Sequence, residues 1–195
     1  ISCVTVVLLE RTQLIERQID VHFLIILLIS AASFCAIGLY DDKYSLRARE
    51  KLILQVVACL PFAVSGHSIE QVEFLGAALD FGYWGIPFTV LWLISCVNVV
   101  NLIDGMDGLA STICLVVATV MTPIALLNGN VGIAILSLIY AGAICGFLIH
   151  NWPPAKIFLG DAGSLLLGFL AGALSIGGAF KTATGFALVM PLVVL

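Results

Sequence analysis

Apolar runs long enough to cross a bilayer, separated by short polar stretches, constrain the fold of this chain more than any other feature. A helix needs about 20 predominantly apolar residues to traverse the hydrocarbon core. Val21 to Tyr40, Ile86 to Ile103, Leu109 to Leu127 and Val131 to Ile149 supply such runs, and Leu52 to about Gly66 and Ser164 to about Phe180 supply shorter ones. Ile1 to Leu9 and Gly185 to Leu195 read as partial spans; the chain opens without Met and stops inside PLVVL, as a fragment does. Within lipid each backbone polar group must be paired inside its own segment, so such runs form helices. The expectation is an all-α polytopic transmembrane helical bundle with about six full spans, a single integral membrane domain over residues 1–195 that is incomplete at both termini.

Composition agrees with that reading and narrows the partners. Hydrophobic residues make up 62% of the chain and charged residues only 10%, with a mean hydropathy of +1.18. The bilayer is therefore the main partner, and nucleic acid is excluded on charge, since Asp and Glu outnumber Lys and Arg by 12 to 8. Cys3, Cys35, Cys59, Cys96, Cys114 and Cys145 lie in apolar stretches without paired spacing and read as small buried hydrophobes. The stretch HSIEQVEFLGAALDFGYW carries Glu70, Glu73 and Asp80 and reads as an extramembrane loop with room for a small hairpin.

Counting crossings sorts the loops before any motif is considered. Two spans separate the loop at Asp41 from the loop at Asp104, and two more lead to the loop at Asp161, so all three acidic loops share one face. Lys43, Arg47, Arg49, Lys51 and Lys156 lie on that side, against Arg11, Arg17 and Lys181 on the other. The positive-inside rule makes the acidic face of this multi-pass chain cytoplasmic; the cytoplasmic (inner) cell membrane is the expected location.

Three constellations on that face carry chemistry. In GLYDDKYSLRAREKLILQ, Asp41 and Asp42 are adjacent carboxylates suited to a metal or general-base role, or equally to a solvated helix end. Lys51 and Gln55 are four apart, share a helix face and could both address a phosphate. In NVVNLIDGMDGLA, Asn98, Asn101, Asp104 and Asp107 recur every three residues at a span end, stacking oxygens along one side where Gly105 and Gly108 release the backbone. Such oxygens suit Mg²⁺, or Mn²⁺ in its place, with substrate phosphates completing the coordination; a polar helix cap is the plain alternative. In NWPPAKIFLGDAGSLLLG, Asp161 stands between Gly160 and Gly163 and Ser164 follows to open a helix, a turn whose backbone N–H groups favour anions; a tight loop with Ser164 as N-cap is the plain alternative and, for this motif alone, the stronger one. Carboxylates at a membrane edge are costly, and three sets on one face suit a lipid carrier arriving laterally to meet a charged nucleotide. His22, His67 and His150 have no partner visible in sequence and read as interfacial or loop residues.

Together DD, NxxNxxDGxDGLA and GDxGSxxLG, running in this order from about Gly38 to Gly168, resemble the polyprenyl-phosphate N-acetylhexosamine-1-phosphate transferase family of integral membrane enzymes. The resemblance implies a Mg²⁺-dependent phosphoglycosyl transferase in which the phosphate of an undecaprenyl or other polyprenyl carrier attacks the β-phosphate of a UDP-N-acetylhexosamine and UMP leaves, starting cell-envelope polysaccharide synthesis. It implies Asn101 and Asp161 as metal ligands, Asp41 as the base supported by Asp42, and Asp104 and Asp107 around the nucleotide. Lys51 resembles a phosphate contact, Phe158 matches a ring that can stack on uracil, and Gln55, Asn98, Gly160 and Ser164 join the substrate-binding set. A homodimer is compatible with the resemblance. The eight residues between Asp42 and Lys51 and the form NLIDGMDGLA resemble the N-acetylglucosamine branch more than the phospho-N-acetylmuramoyl-pentapeptide branch, which is the alternative. The family's first spans, its early Gly-Gly motif, an acidic residue after Pro191 and a His-rich loop are expected outside this sequence. A transporter or channel is the more distant reading, disfavoured because the charges crowd one membrane edge and not the span centres.

Overall fold

The computed structural model describes residues 20–69, 71–74 and 77–178. The partial spans at Ile1–Leu9 and Gly185–Leu195, and with them Arg11, Arg17 and Lys181, lie outside the described residues. Six helices follow in order, α1 (Val21–Tyr44), α2 (Ala48–Val64), α3 (Gly85–Ile103), α4 (Leu109–Leu127), α5 (Val131–Asn151) and α6 (Gly160–Gly178). Between α2 and α3 the loop anticipated as a hairpin is one: β1 (Gln71–Phe74) pairs antiparallel with β2 (Ala77–Asp80), and a single 3-10 turn at Gly82–Trp84 leads into α3. The described residues thus form a helical bundle with one short hairpin between α2 and α3.

Among the described residues five helices are long and apolar enough to cross a membrane, and the exception is α2 with 17 residues. Its ends nevertheless meet those of α1. Lys51 at the start of α2 pairs with Asp41 near the end of α1, while beyond the other end His67 lies near Asp20, the N-cap of α1. Phe23 and Phe62 pack edge to face between these points. The two helices therefore run antiparallel over the same depth. Exposed Leu28, Ile29, Leu39, Ile53, Val57 and Leu91 cover the outside of the bundle with apolar surface, as lipid-facing positions require.

Helix α6 occupies the middle, touching α1, α3, α4 and α5. Its sequence GDAGSLLLGFLAGALSIGG is rich in small residues, which let backbones approach where lipid supplies no hydrophobic drive for helices to associate. Phe34, Phe62 and Phe169 fill the centre, the first stacked on the third at 4.9 Å and the second edge-on to it at 5.9 Å. At Gly38 a Cβ would run into the backbone of Asp161 and Ala162, so glycine lets the end of α1 touch the start of α6. Gly38→Ala is expected to cost about 1–3 kcal/mol by overpacking, seen as a lower Tm in detergent. Gly142→Ala, with nothing within 4 Å of the added atom, should stay within about 1 kcal/mol of neutral.

Two helix ends differ from the sequence expectation. Helix α1 continues to Tyr44, where Ser45 takes a left-handed conformation (φ 51°) and its N–H donates to the Asp41 carbonyl at 2.8 Å. Asp41 and Asp42 therefore lie on its last turn and not beyond it. Helix α6 begins at Gly160, a turn before Ser164, so Ser164 is not its N-cap. That role falls to a side chain from another helix.

Candidate functional site

Adjacent residues on a helix point about 100° apart, and this divides the work of Asp41 and Asp42. Asp41 turns toward α2: its Oδ2 lies 2.7 Å from Lys51 Nζ, and its Oδ1 accepts from the Leu46 N–H at 2.7 Å. It is buried, 7% exposed, and a carboxylate in that position needs such partners. Asp42 turns toward α6, where its two oxygens accept from the N–H groups of Asp161 at 2.9 Å and Ala162 at 3.2 Å. Asp42 is the cap of α6, placing a negative charge at the positive end of the helix dipole. Gly160, at φ +64°, turns the chain there with Asp42 oxygens where a side chain would begin.

Lys51 gathers three elements around its ammonium. Besides Asp41 it reaches Asp161 Oδ2 at 3.1 Å and donates to Asn101 Oδ1 at 3.1 Å. Asn101 Nδ2 in turn donates to Asp161 Oδ1 and to Ser164 Oγ at 2.8 Å. The shared face foreseen for Lys51 and Gln55 exists, and it meets the face of α3 that bears Asn98 and Asn101. The two pairs differ in their exposure to the site. Gln55 is fully buried and exchanges amide hydrogen bonds with Asn98, at 2.8 and 3.4 Å, one turn deeper than Lys51. Gln55 and Asn98 thus form a rung between helices and do not reach the cleft.

Beside the Lys51 network lies a cleft of about 340 Å³, lined by Asp42, Asn101, Asp104, Gly105, Met106, Asp107, Asn151, Phe158, Leu159, Gly160 and Asp161. Asp104 ends α3 as its C-cap, and burial, reinforced by the charge of Asp161, pushes its carboxyl up to about 6. Asp107 lies past the helix end, so the spacing of three does not keep it in the register of Asn98 and Asn101; its Oδ2 accepts from the Ala155 N–H at 3.0 Å. Phe158 stands at the rim, 72% exposed.

Asn151 is a residue the sequence reading passed over. Buried at the end of α5, it accepts from the Gly108 N–H and Ser111 Oγ, each at 3.1 Å, and donates to the Ile157 carbonyl at 2.9 Å. It thereby ties the Asp104–Asp107 turn to the loop that carries Phe158. The one available signal was an amide ending an apolar span beside a polar loop.

The model of glycosyl transferase family 4 matches residues 24–179, and the chain belongs to that family. It is 37% identical over 169 residues, 86% of this chain and 47% of the relative, to the probable undecaprenyl-phosphate N-acetylglucosaminyl 1-phosphate transferase of Bacillus subtilis (strain 168). It is 36% identical over 155 residues, 73% of this chain and 48% of the relative, to the phospho-N-acetylmuramoyl-pentapeptide-transferase of Clostridium botulinum (strain Eklund 17B / Type B). A protein of that second description from Thermoanaerobacter sp. (strain X514) is 36% identical over 186 residues, 88% of this chain and 56% of the relative. The chain spans about half the length of the curated relatives it matches.

Proposed function

We propose that the protein containing this chain transfers a sugar 1-phosphate, N-acetylglucosamine 1-phosphate first among the candidates, from a UDP-sugar to a polyprenyl phosphate at the cytoplasmic membrane face. An oxygen of the lipid phosphate bonds to the β-phosphorus, the bond from that phosphorus to the bridging oxygen breaks, and UMP departs with the bridging oxygen. The observation that carries this reading is the cleft itself. Asp42, Asp104, Asp107 and Asp161 line it, and among the described residues around it no Lys or Arg does. Such a cleft repels a diphosphate unless a cation enters with it, and phosphoryl transfer depends above all on positioning and charge neutralisation.

The donor set fits a divalent cation. Asn101 Oδ1 and Asp161 Oδ2, from two helices, converge within 3.1 Å of one ammonium, so the fold already holds oxygens around a cationic point. Two protein oxygens with waters and substrate phosphates are what Mg²⁺ or Mn²⁺ takes. Bound there, the ion would offset phosphate charge. Lys51, released from one of its carboxylates, can meet a phosphate oxygen; Asp41 can accept a proton only after Lys51 has let go of Oδ2. Phe158 offers its exposed face to the nucleobase.

The resemblance in the N-acetylglucosamine direction and the B. subtilis relative favour that sugar; the clostridial relatives keep the phospho-N-acetylmuramoyl-pentapeptide substrate as the second reading. Incubating the full-length protein with undecaprenyl phosphate, Mg²⁺ and each radiolabelled UDP-sugar in turn separates the two. Labelled lipid from neither nucleotide would remove both.

Asp104 adds a dependence on pH. Its folded value of about 6 lies above the ordinary 3.8, so it is neutral below pH 6 and charged above. If its charge helps hold the cation, kcat/KM falls about tenfold per pH unit below that point. Asp104→Asn should give a lower profile without this acid limb, and an unchanged limb would assign it to another group.

A further inference from the structure

At the end of the bundle opposite the acidic cleft, Asp20, His22 and His67 come together, three residues with no role in the transfer chemistry. We propose that they bind a divalent transition-metal ion, Zn²⁺ above all, which ties the start of α1 to the segment following α2. One ligand atom from each lies within 4.8 Å of the others. Asp20 Oδ1 accepts from the His22 N–H at 2.9 Å, which fixes the carboxylate and leaves Oδ2 turned toward His67.

The contacts of Ser65 fit the tautomer a metal requires. Ser65 Oγ donates its only hydrogen to the Phe62 carbonyl at 2.8 Å, so toward His67 Nδ1, at 2.9 Å, it can only accept. With the hydroxyl so oriented, Nδ1 carries the proton and the lone pair resides on Nε2. A ligating histidine whose other nitrogen donates to a fixed acceptor is the usual arrangement at metal centres. Phe23 edge-on at 4.9 Å and Phe62 at 6.0 Å hold the ring in place.

Nε2 and Asp20 Oδ2 stand 3.7 Å apart, too far for a direct hydrogen bond. Ligands about 2.0–2.2 Å from a tetrahedral zinc lie roughly 3.4 Å from one another, so a small closure brings them onto one ion. His22 is exposed, and its ring lies 6.0 Å from that of His67 at an interplanar angle of 27°, within reach as a third ligand. Asp20 and His67 also line a cleft of about 290 Å³, which leaves room for water at a fourth position. Nitrogen ligands favour zinc over Mg²⁺, whose preference is for oxygen.

The test uses the full-length, tag-free protein in detergent, with saturating Mg²⁺ to occupy the acidic cleft. Zn²⁺ titration by calorimetry should show one equivalent bound, and Co²⁺ should give the intense visible bands of a four-coordinate site. His67→Ala should abolish both signals. His22→Ala, at an exposed position, should weaken binding without unfolding the protein, and Ser65→Ala should weaken it about 10–100-fold through the lost orientation of His67. Absence of His67-dependent Zn²⁺ binding would overturn the proposal. Zn²⁺ binding of equal affinity in wild type, His22→Ala and Ser65→Ala would place the ion elsewhere and overturn it as well.

Discussion

Asp161→Asn is expected to lower Mg²⁺-dependent turnover of the full-length protein by more than about a hundredfold, the upper end of what losing a mere supporter of a metal ligand costs, while expression stays near normal. The asparagine keeps the size of the side chain and can still meet Asn101, but it removes the charge that faces both Lys51 and the cleft. Its backbone N–H still donates to Asp42, so the start of α6 remains capped. Turnover is the readout, with Mn²⁺ affinity by electron paramagnetic resonance as a second. Unchanged activity and affinity would refute the assignment of Asp161 to the metal.

Lys51→Met is expected to have the larger effect on stability. It preserves most of the apolar stem but leaves Asp41, 7% exposed, with the Leu46 N–H in place of an ammonium at 2.7 Å. Removing one partner of a buried ion pair typically costs about 3–5 kcal/mol. Thermal unfolding in detergent with EDTA present should show a large fall in Tm. Adding Asp41→Asn should recover much of it, because the uncompensated charge goes too. A Lys51→Met protein as stable as wild type would mean that the network is held by its neighbours and not by this pair.

The two replacements separate the roles of a side chain that touches the cleft and one that organises it. Asp161 is 31% exposed and Lys51 15%, so the network grades from a buried root at Asp41 to an open edge at Asp161. A cation entering from the cleft meets Asp161 and Asn101 first.

Much of this was legible along the chain because bilayer solvation is a strong and local constraint. Apolar runs ending at polar residues placed the helices to within a few positions, and the number of spans between loops put Asp41, Asn101 and Asp161 at one end before any contact was known. The hairpin was legible too. Errors fell where a partner distant in sequence takes over a local role. Ser164 had the residue type and place of an N-cap, yet Asp42, more than a hundred positions away, caps α6 from α1. Spacing left the DD pair between a metal or general-base role and a solvated helix end, and helical geometry sends one carboxylate to α2 and the other to α6.

Gln55 and Asn98 teach the same lesson: matched spacing marked them as a face, but only the crossing of α2 and α3 shows that they satisfy each other. Asn151 could not be singled out, since a buried amide joining two loops looks like any polar residue at a span end. By itself, then, the sequence determined the bundle, the common face of the acidic loops and the kind of chemistry they suit, because span length and charge cost are properties of short segments. Only the tertiary structure decided which carboxylate caps, which pairs with Lys51 and which opens on the cleft, and it alone brought Asp20 to His67. Those are matters of direction and distance between helices, fixed by close contacts such as Gly38 against α6.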